Sequence, residues 1–184
     1  MKRHLDAMIS ELNRTLSGLD EAAIGRILDT LMSGRRIFTA GAGRSGLMMR
    51  SFAMRLMHLG LNVSVVGETV TPAIGEHDVL LIGSGSGATA SLLSHAKRAR
   101  EIGAVICLIT VCRSSPIGSL ADMILEIPAP SPKIDAATEK DSIQPMGALF
   151  EQCLLLTLDA LILEIMNRTG RDSADMFTLH ANLE

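Results

Sequence analysis

Two glycine- and serine-rich stretches, each set between an apolar run and a helical pattern, restrict this chain more than any other feature. Residues 36–40 are mainly apolar, residues 41–46 read Gly-Ala-Gly-Arg-Ser-Gly, and a helical pattern runs on to about residue 59. The arrangement recurs. Residues 79–83 are apolar, residues 84–89 read Ser-Gly-Ser-Gly-Ala-Thr, and a second helical pattern runs to about residue 102. Further apolar runs at 62–67, 104–110 and 123–127 read as strands. Runs without polar alternation belong to strands buried on both faces. Strand–helix alternation of this kind predicts a parallel sheet between helices. The expected architecture is a three-layer α/β/α sandwich with a five-stranded parallel sheet in the flavodoxin-like order 2-1-3-4-5.

The chain of 184 residues fits one domain spanning 1–184. Residues 3–17 and 20–33 read as two helices, with Leu5, Met8, Ile9, Leu12 and Leu16 at helical spacing in the first. Asp20 suits a cap, and Gly34 an end. These helices are expected to pack on the core or on a partner subunit. Residues 128–145 hold four prolines and read as a long irregular stretch. A final helix is expected from Pro145, at its first position, to about Arg168, with Gly170 beyond its end. It is apolar nearly all round, which suits deep burial or a subunit interface.

Composition excludes several classes. Aromatic residues are 2% of the chain, with no Trp and no Tyr, so a base-stacking platform for nucleic acid is not expected. Seventeen basic against 20 acidic residues, with no basic cluster, leave no broad polyanion surface. The apolar stretch 153–166 is broken by Asp159 and Glu164, which argues against a membrane span. Three cysteines suit reduced thiols in a cytoplasmic protein rather than a disulfide scaffold, and no metal-ligand spacing occurs.

The first loop carries a G-x-G-x-x-G pattern, and Glu68 lies where a ribose-binding carboxylate would sit, so a dinucleotide site is one reading. Glycines bring the backbone close to an anion, and free amides at a helix start attract it. The second loop adds Ser84, Ser86 and Thr89, which can all donate to phosphate oxygens. In the 2-1-3-4-5 order the two loops follow neighbouring strands and open into one crevice. A phosphate cradle built from Gly43, Arg44, Ser45, Ser84, Gly85, Ser86, Gly87, Ala88 and Thr89 accounts for both loops together.

These residues resemble the SIS (sugar isomerase) family, and its hexuloisomerase branch in particular. The resemblance runs over almost the whole chain: GAGRSG at 41–46, RLMHLG at 55–60, VVGETVTPAI at 65–74, SGSGAT at 84–89, SIQPMGALFEQ at 142–152 and HANLE at 180–184. It implies interconversion of 3-hexulose 6-phosphate and fructose 6-phosphate, the step after formaldehyde fixation in the ribulose monophosphate pathway. It also implies a homotetramer, no cofactor, no metal, and functional coupling to a hexulose-phosphate synthase. The chain departs from the family at Ala88, where Glu is usual, and at Leu179, where a basic residue is common.

Moving a carbonyl from C3 to C2 requires a base for the C2 proton and stabilisation of a 2,3-enediolate. Glu151 is the leading candidate. It lies early in the final helix, and it matches the position of the family's proposed proton acceptor. His58, at the far end of the helix after the first loop, lies roughly 18 Å from that loop by helical rise, so it is expected to reach only a neighbouring subunit's site. His180, near the C-terminus, is a third catalytic candidate. Gln144 and Ser142 are candidates for sugar hydroxyls. His77 and His95 read as surface positions. A SIS-type sugar-phosphate-binding regulatory module, an isomerase of another phosphosugar and a dinucleotide-dependent reductase are the rival functions.

Overall fold

The computed structural model describes residues 1–130 and 142–183. Five strands, β1 (Ile37–Gly41), β2 (Val63–Val65), β3 (Val79–Gly83), β4 (Val105–Thr110) and β5 (Met123–Glu126), form one sheet in the order β2-β1-β3-β4-β5. Every pairing is parallel. The expected order is therefore the observed one. Among the described residues, six α-helices accompany the sheet: α1 (Lys2–Leu16), α2 (Glu21–Leu31), α3 (Gly43–His58), α4 (Ala90–Ile102), α5 (Ala148–Thr169) and α6 (Ser173–Phe177).

Strand residues alternate between two cores. Ile37, Val79, Leu81, Cys107 and Ile109 face α2, α3 and α5. Phe38, Ala40, Leu80, Ile82 and Leu108 face α4, through Leu92, Ala96 and Ala99. Both faces are covered, which is why the strands carry apolar residues without alternation. Leu154 of α5 is fully buried and reaches the end of β3 near Gly83. Truncating it to Ala would cost about 2–5 kcal/mol.

Local chemistry sets the helix ends. The Asp20 carboxylate accepts hydrogen bonds from the amides of Ala22 and Ala23, as its position suggests. Gly170 closes α5 at φ 67°. Several expected boundaries move. Helix α2 stops at Leu31, before Gly34. Helix α5 starts at Ala148, not Pro145, because Met146 takes φ 57° and Pro145 accepts the Ala148 amide in a turn. Of the irregular stretch expected at 128–145, residues 131–141 lie outside the described residues.

The chain leaves apolar groups in solvent on several elements, α1 and α5 among them. Leu5 and Ile9 of α1 are 51% and 55% exposed, while Leu12 and Leu16 pack on the core. Leu163 of α5 is 65% exposed. Among the described residues, no helix is long and apolar enough to cross a membrane.

Candidate active site

The carboxyl ends of β1 and β3 lie side by side, with Gly41 opposite Gly83 in the register. The two Gly/Ser loops leave the sheet there and enter α3 and α4. The start of α5 closes the third side. Between them lies a crevice of about 460 Å³, a volume suited to a small ligand.

Close packing of glycines shapes the first loop. A Cβ on Gly46 would stand 2.7 Å from the Gly41 carbonyl oxygen, and one on Gly41 would stand 2.9 Å from Gly46 Cα. Those two glycines let α3 press against β1. Gly43 has open space around it but takes φ 57°, so its role is conformational. In the second loop, Gly87 takes φ 58°, and a Cβ there would fall 2.0 Å from the Ser115 hydroxyl. The loop is anchored underneath by Thr110, whose hydroxyl donates to the Gly85 carbonyl at 3.0 Å.

Three helix N-termini, those of α3, α4 and α5, converge on the crevice. None of the three has a side-chain cap hydrogen bond. By contrast, α2 and α6 are capped by Asp20 and Asp172. Uncapped amides and the positive ends of three helix dipoles suit this crevice to an anion.

Gly43, Arg44, Ser45, Ser84, Gly85, Ser86 and Thr89 line the crevice with Glu151, Phe150 and the Pro145–Met146–Gly147 turn. Glu151 Oε2 lies 3.1 Å from Arg44 Nε, and the Glu151 side chain is 18% exposed. Four of the expected binding residues lie elsewhere. Gly87 packs on Ser115, and Ala88 points to solvent. Gln144 is buried, and its Nε2 donates to Glu11 Oε2 at 3.1 Å. Ser142 likewise donates to Glu11. The sequence pattern does not single out Glu11, because α1 has the look of an ordinary charged surface helix.

His58 and His180 come together, but not here. His58 ends the 16-residue α3, roughly 22 Å by helical rise from the loop end. It is buried, and its ring stacks on that of His180 with centroids 5.3 Å apart. Burial, then the Arg55 charge and His180, hold its imidazole below the usual pKa. Both rings line a separate hollow with Ser51, Arg55 and Asp159. His77 is exposed as expected, but His95 is half-buried, and its buried Nδ1 has no hydrogen-bond partner among the described residues. Glu68 forms an ion pair with Arg50 and does not line the crevice.

The SIS domain family model matches residues 30–156, and the chain belongs to the SIS family. It is 47% identical to the 3-hexulose-6-phosphate isomerase of Bacillus subtilis over 177 residues, covering 96% of this chain and 95% of that protein. It is 39% identical to the 3-hexulose-6-phosphate isomerase of Mycobacterium gastri, covering 98% and 90%. Among solved structures, it superposes with a TM-score of 0.83 at 34% identity, covering 99% of each chain, on a hypothetical protein of Methanococcus jannaschii. The crystal structure of that protein infers a molecular function of 3-hexulose-6-phosphate isomerase.

Proposed function

We infer that this chain interconverts 3-hexulose 6-phosphate and fructose 6-phosphate. The kinship with hexulose-phosphate isomerases over nearly the full length supports the reaction. One observation carries the mechanism: a half-shielded carboxylate, Glu151, faces the anion-binding loops across a crevice of small-ligand size.

The phosphate docks on the amides of residues 43–45, Gly85, Ser86 and Thr89, with the Ser45, Ser84, Ser86 and Thr89 hydroxyls and Arg44 as further donors. That fixes the sugar with its reacting carbons toward Glu151. The carboxylate takes the proton from C2 of the 3-ketose. The C–H electron pair forms the C2–C3 double bond, and the O3 oxygen gains the charge. Glu151 returns the proton to C3, while the O2 hydroxyl proton passes to O3 and the C2 carbonyl forms. One base serves both carbons because they are adjacent on one face of the enediolate. No redox cofactor is needed, since substrate and product are isomers.

His180 belongs to the same reading as a group offered to a neighbouring subunit in a homotetramer, with the buried His58 stacked behind it. The exposed Leu5, Ile9 and Leu163 supply apolar surface for that assembly. Gln144 acts behind the crevice wall. The synthase that makes the 3-hexulose phosphate is the functional partner, and the cytoplasm is the compartment.

The experiment couples the protein to a hexulose-phosphate synthase supplied with formaldehyde and ribulose 5-phosphate. Fructose 6-phosphate is the expected product. Tight NAD(H) binding, unaffected by sugar phosphates and without turnover, would sink the reading in favour of a reductase.

A further inference from the structure

Glu11 stands on α1, outside both Gly/Ser loops, and is only 7% exposed. Three donors from one short segment converge on its carboxylate. Oε1 accepts from the Ile143 amide at 2.9 Å. Oε2 accepts from the Ser142 hydroxyl at 3.0 Å and from Gln144 Nε2 at 3.1 Å. The Gln144 amide in turn donates to the Ser142 hydroxyl at 3.0 Å. Three consecutive residues are thereby fixed to a helix more than 130 positions earlier in the chain.

Burying a carboxylate is costly unless its oxygens are fully hydrogen-bonded. Attachment of α1 does not need it, because Leu12 and Leu16 already pack on the core. The clamp acts instead on the adjoining turn. Residues 145–147 form the wall of the crevice. Met146 holds φ 57°, a left-handed conformation that a non-glycine residue keeps only where its surroundings impose it. Gly147 accepts the Glu151 amide at 3.0 Å, which ties the turn to the candidate base. The turn is thus pinned on one side by Glu11 and on the other by the body of α5.

We propose that Glu11 is a positioning residue: its carboxylate clamps residues 142–144, and so holds the Met146 turn and Glu151 at the correct distance from the phosphate loops. The proposal rests on Glu151 as the base. Misplacement of a reacting group by an ångström costs as much as 10²-fold in rate, so the clamp acts on turnover and not on phosphate capture.

The test uses the full chain and its Glu11→Ala, Glu11→Gln, Glu11→Gln/Gln144→Glu and Glu151→Gln variants. It reads kcat and KM, inhibition by inorganic phosphate, and the melting midpoint. Glu11→Ala is expected to lower kcat by about 10- to 100-fold, with inhibition by inorganic phosphate unchanged. Glu11→Gln, an isosteric change that removes the charge, lowers kcat less. The double variant restores an amide–carboxylate pair and recovers kcat relative to Glu11→Gln. If Glu11→Ala does not fold, the last two Glu11 variants decide. Full kcat in either single Glu11 variant, parallel loss of kcat and phosphate inhibition, or no recovery in the double variant would overturn the proposal. Full turnover by Glu151→Gln would overturn the underlying reading instead, whereas an inactive Glu151→Gln beside a fully active Glu11→Ala rejects the clamp alone.

Discussion

Arg44 and Glu151 meet across the mouth of the crevice, Nε to Oε2 at 3.1 Å, with the arginine 55% exposed. They come from the first turns of α3 and α5, two helices that pack on each other. An ion pair this exposed contributes about 0–1 kcal/mol. A dianionic phosphate on three helix N-termini offers Arg44 a stronger partner. On the proposed mechanism, substrate entry draws Arg44 toward the phosphate and frees Glu151 for the sugar carbon. Arg44→Ala should raise KM by roughly 10-fold or more, the equivalent of one charge-assisted hydrogen bond. Its kcat should fall far less. Steady-state kinetics with both substrates check this.

The loop glycines divide into two kinds, and substitution separates them. Gly87→Ala brings a methyl group against Ser115 and also strains a left-handed backbone. It should lower the urea midpoint and weaken inhibition by inorganic phosphate. Adding Ser115→Gly removes the clash but not the strain, so recovery should be partial. Gly43→Ala meets no neighbouring atom. Its cost should be the backbone term alone, about 1–2 kcal/mol.

A different pair holds the other end of the sheet. Asp78, at the start of β3, accepts from Arg36 Nε at 2.9 Å and Nη2 at 2.6 Å, and from the Gly75 amide at 2.6 Å. Burial pushes its carboxyl up, but the Arg36 and Gly75 hydrogen bonds and the Arg36 charge outweigh it and hold its pKa below 3.8. A depressed folded pKa means that the unfolded chain binds the proton more readily. The stabilisation is therefore fully present above the unfolded value and is lost as pH falls through the folded one. Asp78→Asn should lower the melting midpoint at neutral pH and flatten the acid limb of the stability curve below about pH 4. KM should not change, since the pair lies at the opposite end of β1 and β3 from the crevice.

Thiol reactivity should be uneven. Burial, with the Asp122 charge adding to it, pushes Cys107 up to about 12, and burial alone pushes Cys153 up to about 11. Cys112 is half-exposed. A thiol-specific reagent should label one cysteine per native chain, mapped by peptide mass to Cys112, and three after unfolding.

Much of this was legible in the sequence because it is encoded locally. Apolar runs, loop glycines and helix periods lie within a few residues of one another, and they give the strand order and the crevice directly. Gly46 is readable as a fingerprint glycine, but its contact with Gly41 is not. The rest depends on distance along the chain. Glu11 meets partners at 142–144, so local pattern shows only one more acid on a charged helix. Gln144 reads as a sugar ligand, yet its side-chain amide lies on that acid. His58, at a helix end, reads as a group for a neighbouring subunit's site, yet the C-terminal segment with His180 covers it. The start of α5 moves three residues because Pro145 suits a first helical turn as well as it suits the turn that Met146 actually makes.

The central claim, that Glu151 moves a proton between C2 and C3 of a phosphate-anchored hexulose, is tested most directly by solvent exchange. Fructose 6-phosphate is incubated in D₂O with the wild-type chain and with Glu151→Gln, and deuterium is located by NMR. The wild type should place deuterium at C3, and Glu151→Gln should not, although inorganic phosphate still binds it. Exchange at C1 instead of C3, or exchange at C3 by Glu151→Gln at the wild-type rate, would contradict the account.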